Sequence, residues 1–384
     1  MDPFRKLLER LFPPPYQPLP AGIHHYQSAT EAGFPYRLHL RLENNGEGVL
    51  IVNASTVLHL NQTAAEMAYH LVRQTPPEEA VRQIARRYRV SPQQIAEDFE
   101  SLKQRLEALI STPDLDPVTY LGFERHEPYS QLTAPYRLDC ALTYRTPSAP
   151  SMHDTLQKRV KRELVTEEWQ TILSKGWQAG IPHIIFTGGE PTLRPDLIDL
   201  VAYAESLGQV TGLLTDGSRL TEKDYLHHLL QSGLDHMMII LDPSEEQGWE
   251  AIRDTLAEDI FLTVHLTMTP REKEKIVEYI KKLAKMGVQS LSLSASDPDL
   301  KSELNLARQI VADQGMSLIW DLPVPYSGTN PIALELEESG ETPQGAGHAW
   351  LYVEPDGDVL PGQGIQKVLG NLLTDDWEKI WGNR

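Results

Sequence analysis

Cysteine is nearly missing: the 384 residues hold one, Cys140. A lone thiol excludes an internal disulfide, and it excludes any metal cluster held by three or four thiolates of this chain. Positive charge is also scarce, with 35 Lys and Arg against 54 Asp and Glu and a net charge of −19. Such a balance repels phosphate backbones, so nucleic acid is not expected as a partner. Long apolar runs are absent too. No stretch approaches the roughly 20 residues that span a bilayer. The opening MDPFRKLLERLF lacks the apolar core and small-residue cleavage site of a secretory signal. The expectation is a cytoplasmic protein with no transmembrane segment. What remains, 40% hydrophobic and 23% charged, is the composition of a soluble globular chain. Its length predicts two or three domains of about 100 to 200 residues each.

Residues 1–30 read as an N-terminal helix and a proline-rich linker. Phe4, Leu7, Leu8, Leu11 and Phe12 form one apolar stripe that should dock on the protein itself or on a partner, and PPPYQPLP follows as a stiff spacer. Residues 31–112 carry the pattern of a small α+β domain. Residues 37–42 alternate as a strand, Asn44, Asn45 and Gly46 signal a turn, and residues 48–53 return. Asn61 can then cap a helix through Val72. Pro76 and Pro77 open a second, and Ser91 caps a third whose Ile95, Phe99, Leu102, Leu106 and Leu109 must be buried. Residues 113–135 hold proline and polar residues without a period and read as a linker.

Strands are predicted at 138–143, 183–186, 210–215, 237–241, 261–267 and 289–294, with helical stretches between them. A full eight-unit barrel takes about 250 residues, so six units take roughly 190, which is what residues 136–325 supply. The predicted fold class is α/β: a partial (β/α)6 barrel of TIM type, preceded by the small α+β domain. Cys140 shares a strand face with Leu138 and Leu142 and reads as a buried core thiol. Residues 326–384 form a C-terminal extension, in which 349–363 read as a hairpin turning at PDGD.

The stretch that organises the barrel is 184–194, IIFTGGEPTLR, an apolar strand ending in two glycines, a carboxylate and a proline. Gly188 and Gly189 allow close backbone approach, and Pro191 holds Glu190 extended. A fixed carboxylate beside free carbonyls suits an ammonium group. The same residues also describe an ordinary strand-to-helix turn. Sites in such folds gather at the carboxyl ends of the strands, which places Thr215, Asp216 and Asp242 with them.

YRLDCALTYR at 136–145, TGGEP, and VTGLLTDG at 210–217 together resemble the radical S-adenosylmethionine enzymes. In that family the first strand runs into a loop bearing C-x3-C-x2-C, and GGEP holds the amino group of the methionine moiety. The resemblance therefore implies cofactor contacts from Gly188, Gly189, Glu190, Pro191, Thr215, Asp216 and Asp242. Asp242 has two readings, a partner for a ribose hydroxyl or a turn-forming Asp-Pro. The three cysteines are missing. Thr146, Pro150 and His153 stand where the thiolates belong. Thr146 and Pro150 cannot serve as thiolates, and a lone histidine in a polar loop is more often solvated than a ligand. A four-iron four-sulfur cluster is not expected from this chain, whereas S-adenosylmethionine stays a candidate ligand.

GVLIVN, LHLNQTA, RYRV and IAEDF resemble the PqqD-like peptide-recognition domain, of winged helix-turn-helix type. That resemblance implies capture of a precursor's leader peptide as an added strand, with Val49, Leu50, Ile51, Val52 and Asn53 as candidate contacts. The C-terminal hairpin is similar to the SPASM-like extension of peptide-modifying radical enzymes. Gly362 replaces a cysteine there, and Gln344 to Gly347 offer no thiol. Three readings follow. The first is a cluster-less pseudoenzyme or accessory subunit that binds a leader and pairs with a cysteine-complete radical enzyme. The second is an active peptide-modifying enzyme whose cluster comes from a partner or whose cysteines were removed. The third is an iron-free protein that binds S-adenosylmethionine for regulation.

Overall fold

The computed structural model describes residues 18–28, 36–88, 90–112, 115–123, 132–147, 160–319, 322–323 and 345–383. The predicted N-terminal helix and the first residues of its spacer lie outside these. The chain divides into two compact units, Met1–Pro128 and Tyr129–Arg384. Among the described residues no helix is long and apolar enough to cross a membrane.

The first unit is an antiparallel meander of β1 (Gly22–Gln27), β2 (Arg37–Leu42), β3 (Gly48–Val52) and β4 (Thr56–Leu60), in that spatial order. Alternation sends Leu38, Leu40, Leu42, Leu50, Val52, Leu58 and Leu60 to one face, where they are buried. Asn53 and Ala54, at φ 52° and 55°, turn β3 into β4. Three helices cover that face: α1 (Gln62–Val72), α2 (Pro77–Tyr88) and α3 (Pro92–Ser111). The caps are those the sequence predicts. Asn61 accepts from the Ala64 N–H at 3.0 Å and Ser91 from that of Gln94 at 3.2 Å. Ile95, Phe99, Leu102, Leu106 and Leu109 of α3 are all buried. The stretch read as an N-terminal linker contains β1, and the one read as an interdomain linker contains the short α4 (Pro117–Leu121). β1 was hidden because Gly, His and Gln dilute its alternation.

In the second unit, strands β5 (Arg137–Thr143), β6 (His183–Gly188), β7 (Val210–Thr215), β8 (His236–Leu241), β9 (Phe261–Met268) and β10 (Ser290–Ala295) lie side by side and parallel. The crossovers are α5 (Thr166–Gln178), α6 (Leu197–Leu207), α7 (Lys223–Gln231), α8 (Glu246–Leu256) and α9 (Ile276–Met286), and α10 (Lys301–Asp313) leads to β11 (Ser317–Leu318) beside β10. This is an open barrel wall of six βα units. At its other edge β12 (Trp350–Val353) adds parallel to β5, followed by β13 (Asp358–Leu360) and β14 (Gly370–Asn371), both antiparallel, and α11 (Trp377–Gly382). β12 and β13 form the predicted hairpin.

Residues such as Leu138, Cys140, Leu142, Ile184, Phe186, Leu213 and Ile239 face the helices as one core. The opposite, concave face is mixed. Strand register sets Ile240, His265 and Ser292 in one row and Thr267 beside Ser294 in the next. Lys175 of α5 fastens the C-terminal extension, donating to the carbonyls of Leu372, Leu373 and Asp375 at 2.8, 3.1 and 3.2 Å.

Candidate functional site

The mouth of the barrel is built by the ends of β5, β6 and β7. Past Thr143 and Gly188 the chains keep zipping together: the Gly189 N–H donates to the Thr143 carbonyl at 2.7 Å and the Glu190 N–H to that of Arg145 at 2.8 Å. Both glycines are required. A Cβ on Gly188, whose φ is +122°, would lie 2.2 Å from the Thr143 oxygen, and one on Gly189 would lie 2.3 Å from the Arg145 oxygen. Their missing side chains thus make room for the neighbouring strand.

Glu190 follows, buried and turned inward. One carboxylate oxygen accepts from the Thr192 N–H at 2.9 Å, the Thr192 hydroxyl at 2.5 Å and the Thr215 hydroxyl at 2.8 Å; the other accepts from the Asp216 N–H at 2.6 Å. The short helical turn Pro191–Leu193 aims two of those donors. Burial, reinforced by the Asp216 carboxylate, pushes the Glu190 pKa up to about 8 against the pull of these hydrogen bonds. Glu190 therefore clamps the loops after β6 and β7 together. Gly188, Gly189, Glu190, Pro191, Thr215 and Asp216 meet here. Asp242 stands outside this lattice, exposed, and accepts from the Ser244 N–H at 2.9 Å and hydroxyl at 2.7 Å, the contacts of a turn former.

Sequence reasoning missed Arg194. Its guanidinium, 7% exposed, donates to the carbonyls of Leu142 at 3.3 Å and Leu164 at 3.0 Å and pairs with both oxygens of Asp196. Glu163 hydrogen-bonds the Thr143 hydroxyl and lies 3.4 Å from Arg145. These contacts tie together the two ends of the loop that follows β5. A guanidinium can serve several backbone carbonyls at once, but nothing in TLR marks that use in advance.

The concave face behind the mouth carries no buried charge on β9 and β10. His265 binds the Ser292 hydroxyl through Nδ1 at 2.9 Å and the Thr267 and Ser294 hydroxyls through Nε2 at 3.1 and 3.0 Å. Burial depresses its pKa to about 3, so it is neutral at physiological pH. Ile185, Leu214, Met238 and Ile240 form an apolar wall beside it.

Among the described residues no set of side chains fits a cysteine-held iron–sulfur cluster. Cys140 points into the helix-facing core between Leu138 and Leu142, and burial raises its pKa further. Thr146 is half-buried at the end of β5, whereas Pro150 and His153 lie outside the described residues. No group of three or more His, Cys, Asp or Glu among the described residues is arranged to hold a metal ion. In the extension, a Cβ on Gly345 would lie 1.9 Å from the Trp350 ring, and one on Gly362 would lie 3.2 Å from the Ala346 side chain and 3.6 Å from the indole nitrogen. An indole, stacked under Arg137 at 5.1 Å, fills the space beside both glycines.

A second candidate site lies in the first unit. A groove of about 300 Å³ opens between the start of β2 at Tyr36 and Leu38, the α1–α2 junction at Leu71 and Pro76, and α3 at Phe99 and Leu106. Lys103 and Glu107 also line it, and so does His70, a buried histidine whose Nε2 makes no hydrogen bond. Val49, Leu50, Ile51 and Val52 lie on β3, which is paired on one side with β2 and on the other with β4. An added strand cannot pair there, because strand addition needs a free edge. Asn53 lies in the turn after β3 and accepts from the Arg37 N–H at 2.8 Å.

An open parallel barrel with a glycine-rich mouth, joined to a small sheet-and-helix unit with a groove, defines a class of two-domain α/β proteins. Residues 143–266 match the radical SAM superfamily and residues 47–109 match coenzyme PQQ synthesis protein D (PqqD). The chain thus carries a segment that matches the radical SAM superfamily and a PqqD-like segment before it. It is 28% identical over 281 residues to the PqqA peptide cyclase of Streptomyces rochei, covering 65% of this chain and 76% of that protein. The fold is similar to SuiB of Streptococcus suis bound to precursor peptide SuiA, with a TM-score of 0.57 at 14% identity over 89% of this chain and 86% of that one. SuiB bound to S-adenosylmethionine gives 0.58 at 15% identity over 93% and 88%.

Proposed function

We propose that this chain is a cluster-less member of its superfamily that binds the leader of a precursor peptide through its first unit and serves as an accessory to a cysteine-complete radical enzyme. One observation carries the reading: the only cysteine, Cys140, is buried on the helix-facing side of β5, while the recognition unit keeps its sheet, its three helices and an open groove. The groove offers apolar walls for side chains of the leader, and the sheet edge offers backbone pairing. The similar PqqA peptide cyclase is named for a peptide and SuiB is bound to the precursor peptide SuiA, which supports a peptide ligand here. Fluorescence anisotropy with the leader of any precursor peptide found encoded beside this gene tests the reading. Micromolar binding, together with no iron uptake on anaerobic reconstitution, is the expected result; absence of binding, or a stoichiometric cluster, rejects it.

A second reading is favoured by the intact lattice around Glu190. The resemblance gives GGEP to the amino group of the methionine moiety, and the ordered loops around Glu190 support an iron-free chain that would hold S-adenosylmethionine as a regulatory ligand. Without a metal to chelate the amine and carboxylate, binding should be weak. Calorimetry decides this directly, and heat indistinguishable from dilution eliminates it.

A further inference from the structure

The four strands of the first unit share its core unequally. Toward the helices β2 turns Leu38, Leu40 and Leu42, β3 turns Leu50 and Val52, and β4 turns Leu58 and Leu60. At the matching positions β1 presents Tyr26, His24 and Gly22, because its register pairs them with Leu38, Leu40 and Leu42. None of its six residues is buried. The space at Gly22 is unfilled: a Cβ there would meet only the His24 ring, at 3.6 Å and beyond. His24 lies edge-on to Tyr69 of α1 with ring centres 4.8 Å apart, and Tyr26 sits 5.7 Å from Tyr36. Partial burial lowers the pKa of the His24 imidazole, with Arg73 and His25 adding to the effect. That desolvation cost is one an aliphatic side chain would not carry. The open groove begins at Tyr36 and Leu38, beside the end of β1.

We propose that β1 is a resident strand that shields the β2 edge until a partner peptide, carrying large apolar side chains at alternate positions, displaces it and pairs with β2 in its place. The inference rests on the peptide-binding reading and adds its regulation. A histidine stands where each sister strand has a leucine, Leu40, Leu50 and Leu58, and Gly22 stands in a row where β2 and β4 have Leu42 and Leu60 and β3 has Gly48. Burying one leucine in place of either is worth roughly ten- to a hundredfold in affinity. Strand addition supplies the same backbone pairing to resident and incoming strands alike, so the side chains at alternate positions decide between them.

The test uses the full-length chain and two fluorescein-labelled synthetic peptides spanning residues 19–28, one native and one with Gly22→Leu and His24→Leu. Anisotropy should show the leucine peptide binding at least about tenfold tighter than the native one. Placing the same two leucines in the chain itself should weaken that binding by about tenfold or more. Independently of any variant, hydrogen exchange on the unaltered chain should show the β1 amides opening at least about tenfold faster than those of β3. Equal or undetectable binding of both peptides at about 100 μM overturns the proposal. So does β1 protection equal to that of β3. Leucine-peptide binding without precursor-leader binding would reject the proposed function and leave the displacement standing; leader binding that leaves β1 protected would do the reverse.

Discussion

Glu190 is the residue whose removal the geometry describes best. In Glu190→Gln one carboxylate oxygen becomes an NH2. If the remaining oxygen keeps the Thr192 donors, the amide faces the Asp216 N–H at a position now 2.6 Å away; if it keeps Asp216, the amide faces the Thr192 N–H at 2.9 Å. Either way one backbone donor loses its acceptor, which costs about 1–3 kcal/mol. The pH dependence is a sharper test. Glu190 has its pKa raised from 4.5 to about 8, so the folded state holds its proton more tightly than the unfolded one. The associated stability is fully present below pH 4.5 and is lost as pH rises through 8. At about 1.36 kcal/mol per unit, that loss is on the order of 5 kcal/mol. Glutamine does not titrate. The variant should therefore be less stable than wild type near pH 5, and the difference should shrink or reverse near pH 9. All seven tryptophans follow residue 168, so urea unfolding followed by their fluorescence reports the barrel unit alone. Parallel wild-type and variant curves across that range would refute the buried, proton-holding clamp.

The acid limb has the opposite sign. His265 and His236 are depressed from 6.5 to about 3 and about 4, chiefly by burial, so their contribution is present above pH 6.5 and is lost as pH falls toward 4 and below. His265→Asn should flatten that limb in acid titrations of barrel stability, and an unchanged slope would exclude His265 as its source. Gly189→Ala forces a methyl to within 2.3 Å of the Arg145 carbonyl and should cost about 2–4 kcal/mol by parting the two strand ends. Chemical denaturation checks it, and a loss below about 0.5 kcal/mol would mean the mouth is looser than described. Lys175→Ala removes a cation shared by three carbonyls and should speed hydrogen exchange in residues 370–382 while leaving β9 and β10 unchanged. Uniform protection would show that the extension holds without that lysine.

Much of the molecule was legible because period and punctuation are local properties. The runs at 183–186, 210–215 and 237–241 are too apolar and too short to be anything but strands between helices, and Asn61 and Ser91 announce their helices by chemistry that acts within one turn. The absence of thiolates is likewise a matter of composition, and no fold can supply them. What tertiary structure alone decided are relations between distant segments. Whether residues 48–52 lie at an edge depends on β2 and β4 flanking them, not on their own alternation. Glu190 reads from the sequence as a fixed carboxylate suited to an ammonium group; its oxygens are instead taken by Thr215 and Asp216, which arrive from another strand. Arg194 became structural when the ends of the loop after β5 offered their carbonyls. β1 joined a sheet despite a weak pattern because the backbone of β2 supplied a partner. Local geometry selects helix or strand residue by residue, but hydrogen-bond partners and burial are set only when the chain closes on itself.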